Sequence, residues 1–244
     1  MSNYTTQLYA INDAIDIDFW KYPEGVSVDY DDLKFLFIPD AVEAAIVANL
    51  ARSVYAYQKQ HHASDDQITK AVMITMGGLL PGVLLHDHLA WQLNGGMPAI
   101  EFGTLGVKYY AGPGQPLDEP RVVKDLTVEV DGRVVGIVED LVDLGGTAKF
   151  VSQYLLQRGA REVVLIAPYL KSTGILNEMT VIIFGFVPKD TWIITPRERV
   201  ETLIKRVPHW QAQGASQDAC EANLRAIGYP NYLIDLYLPM AYSS

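Results

Sequence analysis

Apolar residues recur at helical spacing through AVEAAIVANLARSVYAYQKQ, which starts just after Pro39 and Asp40, and the polar HHASDD that follows stops the pattern. This spacing predicts one amphipathic helix. Next comes a short strand at 71–75, a turn at Gly77 and Gly78, and a second helix through LLPGVLLHDHLAWQL; residues 99–105 read as another strand. The stretch 108–120, KYYAGPGQPLDEP, carries three prolines and two glycines, which predicts a long mobile loop of the kind that compact domains reserve for function. The β-branched runs VVGIV at 134–138 and EVVLIAPY at 162–169 flank AKFVSQYLLQRG, a helically spaced segment closing at Gly159. A strand, helix and strand with short connections predict parallel pairing through a right-handed crossover. VIIFGFV at 181–187 extends that sheet, and beyond Trp192 the chain reads as mostly helical, with ERVETLIKRV and DACEANLRAIG as the clearest segments. The first forty residues are acidic and show no regular period. The expected architecture is an α/β sheet core with segments appended at both ends.

Composition narrows the function. The chain has 244 residues and 49% hydrophobic content, enough to fill the core of one large domain or of a core domain with additions. Its apolar runs are strand-sized, far below the ~20 residues of a membrane span, and the polar start MSNYTTQ has no basic segment leading into an apolar one, so neither a span nor a secretory signal is expected. A single cysteine, Cys220, permits no internal disulfide and suits a reducing cytoplasm. The net charge of −10 argues against broad binding to nucleic acid, which depends on Lys and Arg neutralising phosphates. A phosphorylated ligand would be held locally, by backbone amides, hydroxyls and a divalent cation.

The segment VVGIVEDLVDLGGTAKF places Glu139, Asp140 and Asp143 between a buried strand and Gly145, Gly146 and Thr147. Asp and Gly form turns readily after strands, but this combination also stands where ligands gather in open α/β sheets, beyond the carboxyl end of a strand. A helix starting near Ala148 aims free amides and the positive end of its dipole into that space, which favours a phosphate. Carboxylates there accept hydrogen bonds from sugar hydroxyls or hold Mg²⁺. The pattern matches neither G-x-G-x-x-G nor the Gly-Lys-Thr/Ser of a P-loop. His86, Asp87 and His88 resemble a metal cluster only on paper, because helical positions i and i+2 point to different faces and no third ligand is spaced to join them.

EDLVDLGGTA at 139–148 resembles the phosphoribosyl pyrophosphate (PRPP) motif of type I phosphoribosyltransferases, and is most similar to that of bacterial xanthine/guanine phosphoribosyltransferases. The resemblance implies a mainly parallel sheet flanked by helices, with a small hood and helical terminal extensions: 1–38 as an N-terminal extension, 39–202 as the core with its hood, and 203–244 as a C-terminal extension. It also implies a transferase joining a 6-oxopurine (guanine, xanthine or hypoxanthine) to PRPP with release of pyrophosphate, for purine salvage in the cytoplasm. Mg²⁺ would be the cofactor and a homo-oligomer the assembly, with no nucleic-acid or membrane partner. By the same resemblance Glu139 and Asp140 hold the ribose hydroxyls and the metal, Leu144, Gly145, Gly146, Thr147 and Ala148 cradle the 5′-phosphate, and Asp143 is the general base. MGGLLPGVLL at 76–85 is similar to the pyrophosphate loop, with Met76, Gly77 and Gly78 meeting the leaving group. Lys171 falls where the family contacts the purine 6-oxygen, and PKDTWIITP is similar to the base-binding segment, with Trp192 stacking and Ile193 beside it.

Two positions depart from the family pattern. Met76 replaces the usual Arg or Lys, and Leu144 replaces the usual Thr or Ser. Lys108, Arg121 and Lys124 on the following segment are alternative sources of charge. A regulatory protein that binds PRPP or a nucleotide without turnover is the second reading.

Overall fold

The computed structural model describes residues 25–61, 66–93, 97–112, 115–171 and 173–242. The expected N-terminal extension therefore lies outside the described residues as far as residue 24. The described residues fall into two compact units, one spanning Ala45–Phe186 and the other joining the described part of Asp13–Ala44 to that of Val187–Ser244.

The first unit holds the α/β core that the periodicity predicts. Strands β3 (Ile68–Thr75), β4 (Glu101–Gly112), β6 (Val134–Val138), β8 (Glu162–Leu170) and β9 (Thr180–Phe186) run parallel in the order β4-β3-β6-β8-β9. Strand β5 (Gln115–Lys124) adds antiparallel to β4, and the two-residue β7 (Leu141–Val142) pairs with the end of β8. β6 and β8 read as unbroken apolar runs because both their faces are covered. On one face Val135, Ile137 and Leu165 pack with Val151 and Leu155 of α3 (Gly146–Gln157). On the other, Val134, Val138, Val164 and Ile166 meet Val47, Leu50 and Val54 of α1 (Asp40–Gln60), and Leu85 and Leu89 of α2 (Leu79–Leu89).

The second unit has a small sheet, in which β2 (Lys34–Phe37) lies between an antiparallel β1 (Val26–Ser27) and a parallel β10 (Thr191–Ile194). Helices α4 (Arg199–Ala212), α5 (Gln217–Ile227) and α6 (Asn231–Tyr242) form its core around Phe35, Ile194, Trp210, Leu224 and Ile234. Asp31 is enclosed there. It pairs with Arg206, accepts from Trp210 Nε1 at 2.6 Å and accepts from the Leu33 amide at 3.0 Å. Burial alone raises its pKa, but these hydrogen bonds outweigh that and hold it below the usual value.

Two expectations are corrected. Residues 108–112 and 115–120 belong to strands β4 and β5 and not to a loop; Pro116 and Pro120 are tolerated because β5 is an edge strand, where a missing amide donor breaks no ladder. The first forty residues contain β1 and β2 despite lacking a period, since a four-residue strand is too short to show one. Helix α6 lies within the stretch beyond Trp192 that reads as mostly helical, and it accommodates Pro239.

Candidate active site

Three neighbouring parallel strands end on one edge of the larger sheet, and each leads into a segment singled out from the sequence. β3 passes through Met76, Gly77 and Gly78 into α2, β6 ends immediately before Glu139 and Asp140, and β8 ends before Lys171. Adjacent parallel strands align their carboxyl ends, so the topology gathers residues that are far apart in the chain.

Glycines set the closeness of the first two segments. A Cβ on Gly77 would overlap the Asp140 carboxylate, and a Cβ on Gly78 would overlap the Val138 carbonyl oxygen. Gly78 has φ −68° and ψ −3°, which any residue adopts, so it is glycine for want of room. The Thr75–Met76 peptide is cis. Met76 itself is 66% exposed, an apolar side chain at the tip of this turn.

The acidic segment is tied down through its backbone. The Glu139 amide donates to the Ile166 carbonyl at 3.1 Å, and Asp140 Oδ1 accepts from the Leu141 amide at 2.9 Å. Withdrawal from water pushes the Glu139 carboxyl up to about 8, with the neighbouring charge of Asp140 adding to the shift. The Lys171 amide donates to the Val142 carbonyl at 2.9 Å. That bond continues the β7–β8 ladder and fixes Lys171 alongside the residue that precedes Asp143.

Asp143 and Leu144 are exposed, Leu144 at 76%. The chain then reverses at Gly145, whose φ of 78° lies in the left-handed region that favours glycine. A Cβ there would also press on Ile175 Cδ1 at 3.0 Å. Ile175 sits on the 3-10 turn Thr173–Asn177 and carries no sequence signal of its role, which is to back the turn at Gly145. Gly146, Thr147 and Ala148 form the first turn of α3, which has no side-chain cap and no acidic residue. Its first amides are therefore left for an oxyanion.

β4 runs on to Gly112 after β3 has ended opposite Gly106, and beyond that edge Lys108 stands opposite Arg121. Both are exposed, so the hairpin carries cations past the end of the strand that leads into the Met76 turn. Trp192 and Ile193 belong to the second unit. Ile193 is buried, and Trp192 Nε1 donates to Thr202 Oγ1 at 3.0 Å, with the Arg206 guanidinium 5.7 Å from the ring centre.

The chain is similar to the xanthine-guanine phosphoribosyltransferase of Gluconobacter oxydans, at 34% identity over 125 residues that make up 51% of this chain and 66% of that protein. It is also similar to the xanthine-guanine phosphoribosyltransferase of Idiomarina loihiensis, at 28% identity over 54% of this chain and 71% of that one. By these matches the chain is similar to type I phosphoribosyltransferases. It spans just under two thirds of the Gluconobacter relative. No family model matches the sequence. Among solved structures, a hypothetical protein from Neisseria gonorrhoeae with bound ppGpp shares the fold at a TM-score of 0.52 and 16% identity, covering 74% of this chain and 98% of that one. The expected phosphoribosyltransferase-like α/β architecture is thus present, and the sheet edge described above carries the segment EDLVDLGGTA, which resembles the PRPP motif.

Proposed function

We propose that this protein transfers the 5-phosphoribosyl group of PRPP to a 6-oxopurine and releases pyrophosphate. The observation that carries the reading is the convergence, at one sheet edge, of the Gly77–Gly78 turn, the Glu139–Asp140 pair, the uncapped start of α3 and Lys171. In this reading the amides of Gly145 to Ala148 take the 5′-phosphate, the acidic pair accepts from the ribose hydroxyls, and the glycine turn lets pyrophosphate approach backbone amides. As the bond from C1 to pyrophosphate breaks, positive charge develops on the sugar, and fixed carboxylates beside it stabilise that charge. Asp143 takes the proton from the purine imidazole, and Lys171 donates to the 6-oxygen. Trp192, in the second unit, is a ring held by its edge through the hydrogen bond to Thr202.

Among the described residues no group of three or more His, Cys, Asp or Glu side chains gathers as a metal site. Two carboxylates nevertheless suit Mg²⁺, which takes one or two protein carboxylates together with waters and substrate phosphates. Bound in that way through Glu139 and Asp140, Mg²⁺ would neutralise the departing pyrophosphate.

The test supplies PRPP, Mg²⁺ and each of guanine, xanthine, hypoxanthine and adenine to the purified protein and scores nucleotide and pyrophosphate. Asp143→Asn should lower turnover ~10²-fold or more while PRPP affinity holds; an unchanged rate removes Asp143 as the base. A second reading, a sensor of PRPP or nucleotide, is favoured by the exposed Met76 and Leu144, which supply neither the charge nor the hydroxyl usual in the family. PRPP binding without turnover on any base would select it.

A further inference from the structure

We infer that the second unit carries its own binding cleft for a small oxyanion, a carboxylate or phosphate borne on a flat apolar body. This cleft has a volume of about 470 Å³, with Arg199, Asp40, Phe37, Pro230 and Tyr232 among its lining residues, a size suited to a small organic ligand.

Arg199 is the central group. It is only 9% exposed, its Nη2 donates to the Ile38 carbonyl at 3.2 Å and lies 2.8 Å from Asp40 Oδ2, and its guanidinium rests 4.9 Å from the centre of the Phe37 ring. A guanidinium has five N–H donors. The contacts described use Nη2, whereas the Nε–H is buried and has no hydrogen-bond partner among the described residues. Two helices also begin at the cleft, α1 at Asp40 and α6 at Asn231, and each turns the positive end of its dipole and its unpaired first amides toward that region. Donors thus exceed acceptors around the cavity.

Its one acidic lining residue is Asp40, whose side chain is 77% exposed. An ion pair so open to water holds weakly, so Asp40 acts as a placeholder on Arg199 that an incoming oxyanion displaces into solvent. The apolar body of the ligand then lies against Tyr232, which is 63% exposed and beside the start of α6.

This assignment gives the two partners of the Arg199–Asp40 pair opposite signs. Asp40→Asn removes a like charge and a competitor, so it should tighten binding by about fivefold, the scale of one near charge pair in water. Tyr232→Ala should weaken binding by about fivefold, the scale of one aromatic contact. Both residues are exposed, so neither variant depends on refilling a core; thermal melts check the fold. Arg199→Lys gives a supporting arm, expected to lose about tenfold or more through the missing charge-assisted donors.

Amide NMR of the full chain, titrated with phenyl phosphate, benzoate and inorganic phosphate, reads the site directly. The expected result is saturable shifts at Gly228, Asn231 and Tyr232 with phenyl phosphate or benzoate, whichever head group the cleft takes, and much weaker shifts with inorganic phosphate. Shifts confined to residues 144–148, no saturable shifts, or an Asp40→Asn protein that binds more weakly than wild type would each overturn the proposal. The last of these outcomes would point to a ligand that donates to Asp40.

Discussion

Replacing Gly77 with alanine separates the architecture of the ligand site from the stability of the fold. The new Cβ would overlap the Asp140 carboxylate, the far end of a side chain, and displace it. That shift gives up the hydrogen bond from the Leu141 amide to Asp140 Oδ1, a bond to a charged group worth about 1.5–3 kcal/mol, so the melting temperature should drop by about 3–12 °C for a chain of this size. Binding of PRPP should suffer in addition. A carboxylate accepting from a ribose hydroxyl contributes about 1.5–3 kcal/mol, so Gly77→Ala should weaken PRPP by roughly ten- to a hundredfold. Asp140→Ala should do the same, because it removes the group that Gly77→Ala misplaces. In the double variant the new methyl has no carboxylate to meet, and the loss should equal that of one change alone, a coupling of about 1.5–3 kcal/mol. Calorimetry with PRPP and Mg²⁺ on the four proteins measures it. Additive losses, or wild-type affinity in Gly77→Ala, would refute the close approach of the glycine turn to the acidic pair as a determinant of binding.

Lys171→Ala should erode discrimination against adenine by ~1–3 kcal/mol, the cost of a buried donor left unpaired by the wrong base; relative affinities for guanine, hypoxanthine and adenine decide it, and undiminished discrimination sinks the role. Glu139 in the folded protein titrates near 8, above its ordinary 4.5, so the folded state holds a proton that the unfolded chain gives up and stability should decline as pH rises from about 4.5 through 8. Thermal melts across that window should show a flatter decline for Glu139→Gln, and parallel curves would count against the shift. Asp31 has the opposite sign: its depressed pKa means that its contribution is present at neutral pH and is lost as pH falls through the folded value. Asp31→Ala, which strands Arg206, should cost about 3–5 kcal/mol in denaturant melts at pH 7, and a loss below 1 kcal/mol would mean that the buried network is not holding the second unit together.

The first unit was legible because its strands are long and covered on both faces. VVGIV and EVVLIAPY have no polar position to interrupt them, and the helix between them closes at a glycine. The acidic segment was legible for a related reason: three carboxylates and two glycines at a strand end are unusual without a ligand to serve. What escaped depended on partners distant in sequence. β2 offers only four residues and gains its parallel neighbour from β10, so no local window reveals it. The hairpin was hidden by prolines that would interrupt an interior strand but are harmless on an edge. Ile175 supports Gly145 through space alone, and the contact of Gly77 with Asp140 follows from strand order, which local spacing does not encode.

The pairing of β2 with β10 has a consequence for synthesis on the ribosome. Lys34–Phe37 emerges early, but the strand that pairs with it begins at Thr191. At ~5–20 residues per second, roughly 150 intervening residues take about 8–30 s to be made. During that interval the contiguous Ala45–Phe186 unit has time to fold, while Phe35 and its neighbours wait with an unpaired edge. A nascent chain halted before Thr191 should therefore combine a protease-resistant first unit with a sticky KFLFI segment near its beginning, the form in which this protein is most open to capture by chaperones or to aggregation.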